Sequence, residues 1–145
     1  MIIHKTGIYL LSGEAGRVIA KYIVRYQIDY LWKVNYIKIL FLCSRNKWRS
    51  LTAEKIFHGF NGYEVRSAGT EENARIKVTS GHIGWADLIF VMEKKHHRRL
   101  KTKFGSQIST KKIICLDIPD DYQFMDIELI EILKARLSEY IDVPE

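Results

Sequence analysis

Cysteine is scarce in this chain. Cys43 and Cys115 are its only two, they lie far apart, and they form neither a C-x-x-C pair nor a Cys/His spacing that would build a zinc site. That argues against a disulfide-stapled secreted scaffold and a structural zinc fold, and it leaves both thiols reduced in a cytoplasmic setting. Long apolar runs are missing as well: Lys, Arg, Asp or Gly breaks each one before the ~20 residues that a spanning helix requires. The opening MIIHKTGIYLLSGEAGRVIA holds one lysine and an apolar run too brief and too poorly placed for a signal peptide. What is present is 47% hydrophobic and 28% charged residues over 145 positions, enough for one globular domain with an appendage. The formal charge of +6 favours phosphorylated or otherwise anionic partners, although such a surplus is common in proteins that never meet nucleic acid.

Residues 1–36 read as a helical extension and residues 37–145 as the working domain. From Ala15, apolar residues recur at Val18, Ile19, Tyr22, Ile23 and Tyr26, while Arg17, Lys21 and Arg25 fall on the other face. The spacing predicts an amphipathic helix ending near Trp32. It admits three uses: packing on the domain, a homo-oligomer contact through residues 15–32, or a membrane-surface helix.

After Asn35, strand and helix patterns alternate. YIKILFLC (36–43) is a continuous apolar run suited to a buried parallel strand. The helical pattern SLTAEKIFHGF follows it, with Ala53, Ile56, Phe57 and Phe60 on one face. YEVRSAG (63–69), ADLIFVM (86–92) and KKIICLD (111–117) read as further strands, and EKKHHRRLKTKFG as a basic helix stopping at Gly105. The last helix, within MDIELIEILKARLSEYI, has Asp126 as N-cap, Glu128 and Glu131 near its positive end, and Ile130, Leu133, Leu137 and Tyr140 as its buried stripe. This order predicts a three-layer α/β/α architecture around a four-stranded parallel sheet, whose ligands gather at the carboxyl ends of the strands.

CSRNKWRS (43–50) stands at such an end, between the first strand and the helix after it. A loop entering a helix turns several N–H groups toward one point, which the helix field makes favourable for an anion. Arg49 in the first turn can grip a tetrahedral oxyanion with two hydrogen bonds, a geometry lysine cannot copy. Cys43 at the floor of the same cradle is favoured as thiolate, and a thiolate beneath a bound phosphate is a nucleophile aimed at phosphorus.

The loop, with Ala53–Glu54, SAGT (67–70) and ADLIFVM, resembles the low-molecular-weight protein tyrosine phosphatases, in particular a shortened bacterial branch of predicted phosphatases. The family loop runs Cys, any, Gly, Asn, any, Cys, Arg, Ser, and Cys43, Asn46, Arg49 and Ser50 keep register with it over a likeness spanning about 37–143. The resemblance implies a phosphocysteine mechanism without cofactor or metal, acting on phosphotyrosine proteins or small aryl or alkyl phosphates. Cys43 is implied as nucleophile and Arg49 as the holder of the phosphoryl oxygens. The resemblance implies a phosphate cradle of Ser44, Arg45, Asn46, Lys47, Trp48, Arg49 and Ser50. Ser50 is implied to steady the thiolate, and Asn46, in a left-handed backbone and bonded to Ser67, to keep the cradle rigid. IPDDY matches the family's acid loop, which aligns Asp120 with the general acid, ahead of Asp117 and Asp121, and Tyr122 with the aromatic lining the cleft.

The departures are specific. Arg45 replaces a glycine and either extends the anion site or points into solvent. Trp48 replaces the second loop cysteine, so it either walls the cleft or packs, and the disulfide that shields the family nucleophile from oxidation is lost. Leu51 and Asp121 stand where prolines are common, and the stretch between SAGT and ADLIFVM is short enough to lack a helix and a cleft wall. Arsenate reductases share the fold but relay a disulfide through further cysteines that this chain lacks. Cys115 reads as inert core, and the adjacent His96 and His97 point to different sides of a helix, poor spacing for a metal. The competing function is a phosphate, phosphoprotein or nucleic-acid binding module built on EKKHHRRLKTK, which would need neither Cys43 nor Asp120. Neither nucleic acid nor membrane is the expected partner.

Overall fold

The computed structural model describes residues 36–145, together with two short strands near the start, β1 (Ile3–His4) and β2 (Gly7–Ile8), which pair antiparallel. The chain divides into two compact units, Met1–Asn35 and Tyr36–Glu145. The helix expected over residues 15–32, with its dimer and membrane readings, lies outside the described residues.

In the second unit, four parallel strands stand in the order β4-β3-β5-β6: β3 (Lys38–Cys43), β4 (Glu64–Gly69), β5 (Leu88–Val91) and β6 (Lys112–Cys115). β3 is central, and its apolar run from Ile39 to Cys43 is buried on both faces. The two-residue period of a strand splits that run. Ile39, Phe41 and Cys43 join one core with Phe90, Met92 and the helices α1 (Arg49–Phe57) and α4 (Ile127–Leu137). Leu40 and Leu42 join another with Ile89, Val91 and the helices α2 (Ser80–Trp85) and α3 (Lys94–Phe104). Phe41 anchors the first core, its ring 5.7 Å from that of Phe57 and 5.6 Å from that of Phe90. Burying such a side chain contributes about 1.5–3 kcal/mol. The three-layer fold expected from the sequence is present, and it sets Cys43 at the carboxyl end of the middle strand.

Three local expectations need correction. The helix after the loop begins at Arg49 and ends at Phe57, so Phe60 lies in the following turn, where its ring still meets Phe57 edge-on. The buried stripe of α4 is Leu129, Leu133 and Leu137. Ile130 is only partly buried, and Tyr140 lies past the helix end, half-exposed against Phe90. The stretch between β4 and β5 does hold a helix, the six-residue α2, fixed at its start by reciprocal bonds in which the Thr79 hydroxyl accepts from the His82 N–H and His82 Nδ1 accepts from the Thr79 N–H. The basic helix α3 does stop at Gly105, whose φ of 50° few other residues adopt without strain. Among the described residues no helix is long and apolar enough to cross a membrane.

Candidate active site

Residues 44–48 carry the chain from the end of β3 into α1. The reversal depends on Asn46, whose φ of 56° lies in the left-handed region that asparagine tolerates better than most residues. Its buried amide donates to Ser50 Oγ at 2.9 Å and to Ser67 Oγ at 2.8 Å, and the Ser67 hydroxyl donates in turn to Glu54. Arg75 reaches across from the segment after β4, its Nε donating to the Asn46 carbonyl at 3.0 Å and its terminal nitrogen to Asn46 Oδ1 at 2.8 Å. The carbonyls of Cys43, Ser44 and Arg45 accept from the N–H groups of Thr70, Glu71 and Arg75, each at 2.9 Å. Three oxygens that would repel an anion are thereby engaged by the neighbouring segment. Gly69 permits that approach: a Cβ there would sit 2.6 Å from the Ser44 carbonyl oxygen and 2.5 Å from Ala74 Cβ.

Inside this frame, Cys43 Sγ lies 3.0 Å from Ser50 Oγ and accepts the Asn46 N–H at 3.2 Å. Both contacts suit a sulfur that carries negative charge. Arg49 is 1% exposed, yet it is the largest buried side chain. Its NH1 donates to Glu93 and, at 2.8 Å, to the Ile118 carbonyl, and its NH2 stands 3.2 Å from Asp120 Oδ1. Its Nε is buried and has no acceptor. Partial burial pushes the Glu93 carboxyl upward, but the hydrogen bond and charge of Arg49 outweigh it and hold the group below the usual carboxylate range.

Cys43, Ser44, Arg45, Lys47, Trp48, Arg49 and Asp120 line one cavity of about 80 Å³. One water needs about 10–15 Å³ of such space, so several waters or one small anion fit. Of the predicted cradle, Asn46 and Ser50 do not line the cavity but brace it from behind, and Ser67 braces Asn46. Arg45 borders the cavity and, though largely exposed, pairs with Glu71 at 3.3 Å rather than pointing free into solvent. Trp48 is 41% exposed at the rim. Of the three candidate acids only Asp120 borders the cavity. Asp117 instead lies 3.4 Å from the Cys115 thiol, and Asp121 is exposed away from the lining. Tyr122 is not among the lining residues, and its hydroxyl points to Glu128 at 3.4 Å.

Sequence reasoning missed His96. It is fully buried, its Nδ1 accepts the Glu93 N–H at 3.0 Å, and its Nε2 lies 2.9 Å from Ser44 Oγ. The first bond assigns the proton to Nε2, so the ring donates to Ser44. Burial and then the charge of Arg49 push its pKa down to about 3. The signal was there: His96, Leu100 and Phe104 recur every fourth position, the inward stripe of an otherwise basic helix. Glu93 and Arg75 were also missed and gave no local signal. Among the described residues, no three His, Cys, Asp or Glu side chains converge as metal ligands. Both cysteines are free.

No protein-family model matches the chain, and no curated protein sequence matches it. Solved structures do. YwlE arginine phosphatase from Geobacillus stearothermophilus is 24% identical, with a TM-score of 0.56 over 71% of this chain and 91% of that one. The tyrosine phosphatase Wzb from Escherichia coli K30, in complex with phosphate, is 20% identical, with a TM-score of 0.60 over 73% and 96%. SP-PTP, a low molecular weight protein tyrosine phosphatase from Streptococcus pyogenes, is 17% identical, with a TM-score of 0.57 over 73% and 94%. The likeness at these identities is one of fold: the chain has the α/β architecture of these phosphatases along nearly their whole length.

Proposed function

We propose that the chain is a metal-independent, cysteine-dependent phosphomonoesterase that removes phosphate from tyrosine side chains of proteins through a phosphocysteine intermediate. The observation that carries this reading is the buried Nε of Arg49, a donor without an acceptor, on a side chain that lines one cavity with Cys43 and Asp120. An unpaired buried donor is costly unless a ligand satisfies it. A phosphate dianion does so, taking Nε and NH2 as a pair and drawing NH2 away from Asp120.

The chemistry follows from that placement. The Cys43 thiolate attacks phosphorus, a sulfur–phosphorus bond forms, and the bond to the leaving oxygen breaks as Asp120 delivers its proton there. The Asp120 carboxylate then takes a proton from water, whose oxygen attacks phosphorus and expels the sulfur. Ser50 Oγ, 3.0 Å from that sulfur, donates to it as it regains charge. Arg49 holds the equatorial oxygens throughout, anchored by Glu93 and Ile118 so that it need not reorganise. Ser44, Arg45 and Lys47 complete the anion site, while Asn46 and Ser67 keep its shape. Trp48 at the rim offers a face to an aromatic leaving group, which favours tyrosine over alkyl phosphates. A thiolate nucleophile has to stay reduced, a condition that a cytoplasmic setting favours.

Hydrolysis of an aryl phosphate in EDTA tests the reading. Cys43→Ser should abolish turnover, Asp120→Asn should lower kcat by about 10²–10⁴-fold, and phosphotyrosine peptides should outpace phosphoserine and phosphoarginine peptides. A folded, fully reduced protein without turnover would leave a phosphate-binding module, and dependence on a divalent metal would refute the cysteine route.

A further inference from the structure

Helix α3 carries six Lys or Arg in eleven residues, and the fold sorts them into two sets. Lys95, Arg99 and Lys103 face acids of the same molecule: Glu93 at 3.6 Å, Glu71 at 3.8 Å and Glu72 at 3.8 Å. Lys94, Arg98 and Lys101 have no acidic partner within 4 Å among the described residues. These three, exposed and spaced four and three positions apart, border with His97 a separate open cleft of about 580 Å³. Its wall opposite α3 includes Lys111, whose ammonium caps the end of α2 by donating to the carbonyls of Gly84 and Ala86, and Ile108 and Ile113 give the cleft apolar ground. No acidic residue lines it. Like charges at this spacing on a helix repel, and among the described residues no close ion pair offsets them.

The cleft is not isolated from the proposed active site. Lys94 and Arg98 also border a shallower depression with Glu93, Asp117 and Pro119. Glu93 holds Arg49, and Pro119 precedes Asp120 in the chain. A polypeptide whose phosphorylated side chain occupied the cavity could therefore run along α3 into the basic cleft.

We propose that this cleft docks an acidic stretch of the protein substrate, several Asp or Glu residues flanking the phosphorylated one, with apolar side chains resting on Ile108 and Ile113. The proposal rests on the phosphatase reading and names the substrate class of that same site. Charge complementarity selects an acidic occupant. A polypeptide is favoured over nucleic acid because no Phe, Tyr or Trp lines the cleft to give a base a broad stacking face, whereas its apolar ground accepts aliphatic side chains. Docking of this kind acts on encounter and affinity, and salt screens it over a Debye length of ~8 Å at physiological ionic strength.

Two measurements on the full chain test it. In steady-state assays, a phosphotyrosine peptide flanked by acidic residues should show a KM about five- to tenfold below that of its Asn/Gln counterpart, the sum expected of a few exposed ion pairs. The double variant Arg98→Glu, Lys101→Glu should erase that difference while leaving a small aryl phosphate hydrolysed at the parent rate. Equal KM values for the two peptides with the parent protein overturn the docking role. The second measurement needs no turnover: fluorescence anisotropy of a labelled, unphosphorylated oligo-glutamate peptide, which should bind the parent protein at low salt, weaken steeply as salt rises and be lost in the double variant. If the phosphatase reading fails, this binding still decides the cleft. Equal binding by the double variant, or tighter binding of single-stranded RNA than of the peptide, overturns the proposal.

Discussion

His96 shows how one residue reports on the site through protons alone. An unfolded histidine takes up a proton below a pH of ~6.5, whereas the folded His96, buried and facing Arg49, resists protonation down to about 3. Between those values the unfolded state binds more protons, so folding stability rises with pH across that window. The contribution of His96 is therefore complete above about pH 6.5 and is lost as pH falls toward 3, at up to about 1.4 kcal/mol per unit. Urea midpoints at pH 7 and pH 5 should reveal this as a loss that His96→Gln flattens. A variant with the parent slope would mean that other groups, carboxylates among them, carry the acid sensitivity. The same neutral ring keeps its Nε2 proton on Ser44 through the working pH range, so catalysis should show no inflection from this histidine.

Two glycines in neighbouring elements carry opposite predictions. Gly69 ends β4 where the loop crosses it, and a Cβ there would collide with the Ser44 carbonyl oxygen and with Ala74. Gly69→Ala should destabilise by about 1–3 kcal/mol, as overpacking does, and should depress activity further because the displaced atoms belong to the cradle. Gly84 lies within α2, and its added Cβ would meet only the Gln107 amide at 3.7 Å, an ordinary contact. Gly84→Ala should stabilise by about 0.5–1 kcal/mol with activity unchanged. Thermal melts with parallel rate assays check both, and equal behaviour of the two variants would refute the steric assignment. These elements also show what a sequence can reveal. The strands were legible because Ile39–Cys43 and Leu88–Val91 are unbroken apolar runs, and the cradle because Cys43 to Ser50 are consecutive. The α4 stripe was legible at Leu133 and Leu137 but misplaced at its start, because Leu129 and Ile130 are equally apolar neighbours and only packing into the core with Phe41 and Phe57 distinguishes them. α2 was hidden by its length, six residues with two glycines, held by its Thr79 cap. Glu93 and Arg75 became visible only with tertiary structure, since they meet Arg49 and Asn46 across 44 and 29 positions of chain.

At the scale of the whole molecule, the described residues that border the cavity and build both apolar cores belong to the unit Tyr36–Glu145. The second unit is well above the ~60 residues at which a single core becomes marginal. Its first two residues belong to it: the Tyr36 ring lies over Gly62, within 3.0 Å of where a Cβ would stand, and the Ile37 carbonyl accepts the Glu64 N–H at 3.0 Å. A chain starting at Tyr36 should therefore fold by itself, unfold in one cooperative transition, and hydrolyse an aryl phosphate with kcat/KM near that of the full chain. Starting instead at Lys38 removes the aromatic cover and leaves the exposed Glu64 N–H to water, which should cost about 0.5–1.5 kcal/mol and lower the melting temperature without altering the rate at low temperature. Calorimetry and initial rates on the three lengths separate the outcomes. A steep fall in kcat/KM on removing residues 1–35 would refute the independence of the second unit and make the first part of the catalytic machinery.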